Sequence, residues 1–161
     1  MLRLIYGMVP VAVSCVALAS AQANQASPPA DGLPDAPGKA LVVGTCTSCH
    51  GADIIVDPPR TVPVWVDTVL AMKDFGAVAS DSDFKTITDY LVTHLAHLEV
   101  NKAAAGEIAL VFGVTEKIAE GVVAYRDMEG GFKTIDDLKK APDLDAAKVE
   151  ALKGRLIFPV N

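Results

Sequence analysis

Cys46-Thr47-Ser48-Cys49-His50 is the stretch on which the reading of this chain turns. Cys-x-x-Cys-His is the attachment pattern of a c-type haem. Two thiols two residues apart each add to a vinyl group of the porphyrin, and the adjacent imidazole is placed to bind the iron. On this reading one haem c is covalently bound, Cys46 and Cys49 hold it, and His50 is the proximal ligand. Two other uses of the same residues stand beside it. A zinc site needs two more ligands, which His94 and His97 would supply as a Cys₂His₂ set. A thioredoxin-like dithiol calls for alternating strands and helices around the motif, and no such pattern surrounds it.

The amino terminus bears on the compartment. Met1-Leu2-Arg3 is short and basic, Leu4 to Leu18 is mostly apolar, and Ala19-Ser20-Ala21 and Ala21-Gln22-Ala23 both fit a small-x-small cleavage site. Residues 1–23 therefore read as a secretory signal peptide. The apolar run is short for a membrane span of ~20 residues. Ala12-Val13-Ser14-Cys15 is a poor lipoprotein processing site, so no membrane association is expected once the leader is removed. Export leaves Cys46 and Cys49 as the remaining thiols and places the protein in the periplasm.

The 161 residues carry 14 bases and 20 acids, a formal charge of −6. Loss of Arg3 with the leader leaves 13 bases against 20 acids. Residues 31–98 hold 9 acids and 4 bases, and residues 99–161 hold 11 and 9, so the first half is the more acidic. Such a field disfavours nucleic acid and favours cationic partner surfaces.

Composition divides the remainder. Residues 24–35 lie in a stretch rich in Pro, Ala and small polar residues and read as a linker. Two units follow, 36–98 and 99–161, each small for independent folding. Neither holds an alternating run long enough for a sheet, so the fold class is all-α. In the first unit Asp35 is placed to cap a helix starting near Pro37. Residues 53–63, with Pro58-Pro59, read as a loop. A helix from about Val64 to Phe75 puts Trp65, Val69 and Met72 on one face and ends at Gly76. A third helix, about Asp83–Leu98 with Asp81 or Ser82 as cap, buries Phe84, Ile87, Leu91, Leu95 and Leu98 and carries Tyr90, His94 and His97 on a neighbouring stripe.

Without the leader, Met72 and Met128 are the remaining methionines. Met72 is the candidate distal iron ligand, with a core methionine beside Trp65 as the alternative. His94, His97 and Met128 are the other ligand candidates.

Two resemblances extend these readings. Gly38-Lys39-Ala40-Leu41 ahead of Cys46 resembles the first helix of small class I cytochromes c. The string Trp65, Val69, Met72, Gly76-Ala77, Ile87, Tyr90-Leu91 resembles the small cytochrome domains that accompany periplasmic sulfite and amine dehydrogenases. The likeness implies a monohaem domain over 36–98, His50 and Met72 as iron ligands, Trp65 packed near the ring, and a redox partner such as a periplasmic dehydrogenase.

In the second unit, Phe112-Gly113-Val114-Thr115, Ala124-Tyr125-Arg126 and Gly131-Phe132-Lys133-Thr134-Ile135-Asp136-Asp137-Leu138 resemble the helix-hairpin-helix domain of ComEA-type competence proteins. The implied fold is four or five short helices joined by two hairpins. The DNA contacts of that family lie at Gly-hydrophobic-Gly turns, where backbone N–H groups approach a phosphate closely. Here those turns read Gly113-Val114-Thr115 and Asp143-Leu144-Asp145. Lost glycines and added carboxylates disfavour DNA and point to protein contact. The chain shows no P-loop, catalytic triad or dinucleotide-binding motif. The sequence therefore describes an electron-transfer protein, not an enzyme. A periplasmic DNA-binding protein with a structural or sensory haem is the alternative.

Overall fold

The computed structural model describes residues 32–158. The signal-peptide reading and most of the linker lie outside the described residues. Four helices form the first part: α1 (Lys39–Cys46), α2 (Ala52–Val56), α3 (Val62–Asp74) and α4 (Asp81–Leu95). A two-residue strand β1 (Leu98–Glu99) leads into α5 (Ala105–Phe112), α6 (Glu116–Glu129), α7 (Ile135–Leu138) and α8 (Ala146–Ala151). A 3₁₀ turn, Lys153–Arg155, precedes β2 (Leu156–Ile157). Among the described residues, no helix is long and apolar enough to cross a membrane.

Local chemistry accounts for most boundaries, with corrections to the sequence reading. Asp35 does not cap α1; Gly38 does, at φ 99, and the helix starts at Lys39. A Cβ at Gly38 would lie 3.0 Å from Cβ of Tyr90, so glycine lets the start of α1 press against α4. The expected loop over 53–63 contains α2. Pro63 sits in the first turn of α3, where a missing N–H costs nothing. Gly76, at φ 96, ends α3 through bonds from its own N–H to Lys73 O (3.1 Å) and from Ala77 N–H to Met72 O (3.0 Å). The cap of α4 is Ser80, not Asp81 or Ser82. Its Oγ accepts from Asp83 N–H at 3.1 Å, and Asp83 Oδ2 accepts from Ser80 N–H at 3.3 Å.

The stripe on α4 is wider than its leucines suggested. Phe84, Ile87 and Leu91 are buried as expected, Leu95 is only half-buried, and Tyr90 and Val92 join the buried set. Tyr90 is 2% exposed and donates from its hydroxyl to Pro34 O at 2.6 Å, which satisfies the one polar atom it buries. Leu98 is buried in β1 rather than on a helix. The strands were not expected: Leu98 pairs with Leu156 and Glu99 with Ile157, in parallel. A pair this short carries little stability alone. It is held by Arg155, whose guanidinium donates to Ala96 O (2.8 Å), Thr93 O (2.8 Å) and Val92 O (3.2 Å) and so closes the last turn of α4.

One hydrophobic cluster runs through both parts, from Leu33 and Val42 through Leu91 and Ala96 to Phe132, Val149 and Leu156. Asn101 adds a polar clamp. Its amide donates to Phe132 O at 2.8 Å and accepts from Phe132 N–H at 2.7 Å. Residues 36–98 and 99–158 thus share a core.

Candidate functional sites

The first site grows from the end of α1. Cys46 is the last residue of the helix, and its carbonyl accepts from Cys49 N–H (3.3 Å) and His50 N–H (3.2 Å). One tight turn therefore gathers Cys46, Cys49 and His50. Thr47 Oγ1 donates to Val43 O (2.6 Å) and Ser48 Oγ donates to Thr45 O (2.9 Å), so the two x residues of the motif tie the turn to its own helix. Both thiols are free. Cys46 is half-buried, and burial raises its thiol pKa; Cys49 and His50 are exposed. Among the described residues, no three His, Cys, Asp or Glu side chains gather as a metal ion would need.

Trp65 and Met72 lie two turns apart on α3. Trp65 is buried, the Arg60 guanidinium sits 4.7 Å over its ring, and its indole Nε1 is buried with no hydrogen-bond partner. A buried N–H without an acceptor costs about 1–3 kcal/mol. Arg60 itself donates to Ile54 O, Ile55 O and Pro58 O. Met72 is half-buried. At 100° per residue it lies about 20° from Trp65, at the edge of the buried face of Val62, Trp65 and Val69, with Thr68 and then Phe75 on its other side.

The other ligand candidates lie elsewhere in the chain. Met128 stands exposed on α6. His94 is half-buried and packs on Tyr90 with ring centroids 5.0 Å apart; burial, then the Arg155 charge, holds its pKa below the usual histidine value. His97 Nδ1 is buried without a partner at the join of the two parts.

One observation bears on a bound haem. Trp65 Nε1 is a buried donor awaiting an acceptor, such as a carboxylate of the porphyrin. Six of the nine large apolar side chains exposed among the described residues fall between positions 54 and 78: Ile54, Val64, Val66, Leu70, Phe75 and Val78. They do not form one face: at 100° per residue Val66 and Leu70 lie on the side of α3 roughly opposite Val64 and Phe75.

The second site is the pair of hairpins. α5 passes through Gly113 (φ 58) and Val114 into α6, and Thr115 Oγ1 accepts from Ile118 N–H at 3.4 Å. The second turn repeats this shape with Asp143 at φ 59, Leu144 buried, and Asp145 Oδ1 accepting from Ala147 N–H at 2.8 Å. Of the two expected caps, Asp145 takes the role for α8. Asp143 instead stands where glycine stands in the first turn. Lys148 Nζ donates to Gly113 O at 3.3 Å and ties the two turns together. At each turn a side chain of the chain itself already occupies an N–H at the start of the following helix.

Two such hairpins back to back define a helix-hairpin-helix domain, and residues 96–157 match the helix-hairpin-helix motif family model. Modules of this kind make nucleic-acid or protein contacts. Curated relatives include "Endonuclease/exonuclease/phosphatase family domain-containing protein 1" of Xenopus laevis, 39% identical over 56 residues, covering 35% of this chain and 10% of that protein. The Danio rerio protein of the same name is 35% identical over 63 residues, or 39% and 12% of the two chains. "Protein tex" of Bordetella pertussis is 37% identical over 62 residues, or 38% and 8%. The chain thus spans about a tenth of the length of these relatives. No solved structure matches it significantly.

Proposed function

We propose that this chain is an exported, monohaem c-type electron carrier, not an enzyme, that exchanges electrons with a periplasmic oxidoreductase. The observation that carries the reading is the Cys46-x-x-Cys49-His50 turn at the end of α1. Cys46 and Cys49 would hold the haem covalently and His50 would be the proximal ligand. Met72, on the half-covered flank of α3, would be the distal ligand. Trp65 would donate its unpaired Nε1 proton to the group. When bound, haem supplies one-electron chemistry between ferrous and ferric iron, and a thioether ligand raises its potential. The helix-hairpin-helix domain serves protein contact. Expression of the full chain with haem-maturation machinery tests the reading. A mass increase of one haem and c-type bands in the reduced-minus-oxidised spectrum are expected; bare polypeptide from the native host refutes it.

A second reading is favoured by the nuclease-family relatives: a periplasmic DNA-binding protein with a structural or sensory haem. Against it stand the acidic chain and the self-capped turns. A gel shift with duplex DNA that persists at physiological salt would select this reading over the first.

A further inference from the structure

Loop 75–79, Phe-Gly-Ala-Val-Ala, follows α3 and holds no polar side chain. Phe75 is 82% exposed and Val78 is 91% exposed, the two most exposed large apolar side chains among the described residues. The loop is not slack. Its start is pinned by the bonds from Gly76 and Ala77 to Lys73 and Met72. Ala77 and Ala79 then pack partly on the core, so the extended register turns Val78 outward. Val64, about half exposed, lies on the same flank of α3 as Phe75, whereas Leu70 faces another side of the helix.

The rim of this surface is acidic. Residues 64–90 hold five aspartates, at 67, 74, 81, 83 and 89, against Lys73 and Lys85. Both lysines are already engaged, Lys73 with Asp81 and Lys85 with Asp89, each at 2.6 Å. Asp67 and Asp74 are exposed, with Asp74 directly before the loop, while Asp83 after it is half-buried and engaged in the cap of α4.

The geometry points to loop 75–79 as the docking surface for a protein that presents an apolar patch ringed by lysine or arginine. This rests on the electron-carrier reading, since Phe75 continues the flank of α3 that carries Met72. An apolar centre supplies most of the affinity, and the charged rim supplies orientation and rate.

The test uses the haem-loaded, isotope-labelled full chain, fully reduced and titrated with a reduced lysine-rich cytochrome c, so that no net electron transfer occurs. The expected result is a set of amide shifts centred on Asp74, Gly76, Val78 and Asp81, weakened as salt rises through the screening range. The double variant Phe75→Ser/Val78→Ser loses about tenfold in affinity while its c-type bands are unchanged. No binding at low salt overturns the inference, as do shifts centred on the 113–116 and 143–146 turns. A change in the visible spectrum of the variant also overturns it, because the loop would then belong to the haem pocket. A purified chain with no c-type bands refutes the carrier reading itself, an outcome seen before any titration.

Discussion

Replacing Arg155 by alanine tests whether the two parts of the chain melt as one. The guanidinium donates three hydrogen bonds to carbonyls of the last turn of α4, 59 to 63 residues away in sequence. The bonds to Ala96 and Val92 are partly buried, whereas the bond to Thr93 is exposed and contributes little. Losing two partly buried, charge-assisted bonds costs about 1–1.5 kcal/mol each. The total is about 2–3 kcal/mol, a large share of a typical stability of about 5–15 kcal/mol. For a chain of this size the midpoint should fall by about 4–12 °C. Arg155→Lys keeps the charge but not the fork of donors, and should recover less than half. The assay is thermal melting of the haem-loaded chain, followed at 222 nm for helix and in the visible bands for the haem site. One shared core predicts a single transition that shifts equally by both probes. A midpoint shift under about 2 °C, or a transition that moves at 222 nm alone, would refute the reasoning.

Met72→Ala should lower the reduction potential and open a coordination site while the haem stays attached; an unchanged potential would move the ligand to His94, His97 or Met128. Asp143→Gly removes a side chain from a left-handed conformation at φ 59 and should stabilise the chain by up to about 1 kcal/mol in urea unfolding. The Lys153 and Lys139 ammonium groups on either side of Glu150 hold its pKa at about 2, below its ordinary 4.5. A carboxylate depressed in this way stabilises the fold above its unfolded pKa and loses that effect as pH falls through the folded one. Wild type should therefore lose stability relative to Glu150→Gln between about pH 4.5 and 2, weakly because the site is exposed, as read by urea midpoints across that range. In haem-free chain at mildly alkaline pH, exposed Cys49 should be alkylated before half-buried Cys46, as peptide mapping over a time course would show.

The helices of the second part were expected from the family resemblance, and the structure shows the local signals behind them. Thr115 caps α6, Gly113 and Gly130 close α5 and α6, and the spacing between them sets the hairpin. α3 was legible from local signals of its own, Trp65, Val69 and the glycine at its end. α2 was missed: five residues followed by Pro58-Pro59 have too little length to show a period. The cap of α4 was displaced by one or two residues because Ser80, Asp81, Ser82 and Asp83 are all competent caps, and the reciprocal bonds of Ser80 with Asp83 decide among them.

The candidate site divides in the same way. The haem-attachment reading rests on five consecutive residues, so sequence alone was enough to state it, and the turn around Cys46 O follows from the same local run. Burial of Trp65 Nε1 without a partner, the outward register of Val78, and the exposure of Phe75 depend on what packs around them.

Read alone, the amino-acid order determined the helical class and the Cys46–His50 turn, because hydrogen bonds within a few residues and a 3.6-residue period encode them, and its likeness to a known family supplied the two hairpins. Only the tertiary structure decided that Tyr90 is core, that Leu98 pairs with Leu156, and that Arg155 closes α4. Those outcomes need partners about 55 to 60 residues away. No local pattern records which distant carbonyl or apolar face will be waiting once the chain has folded.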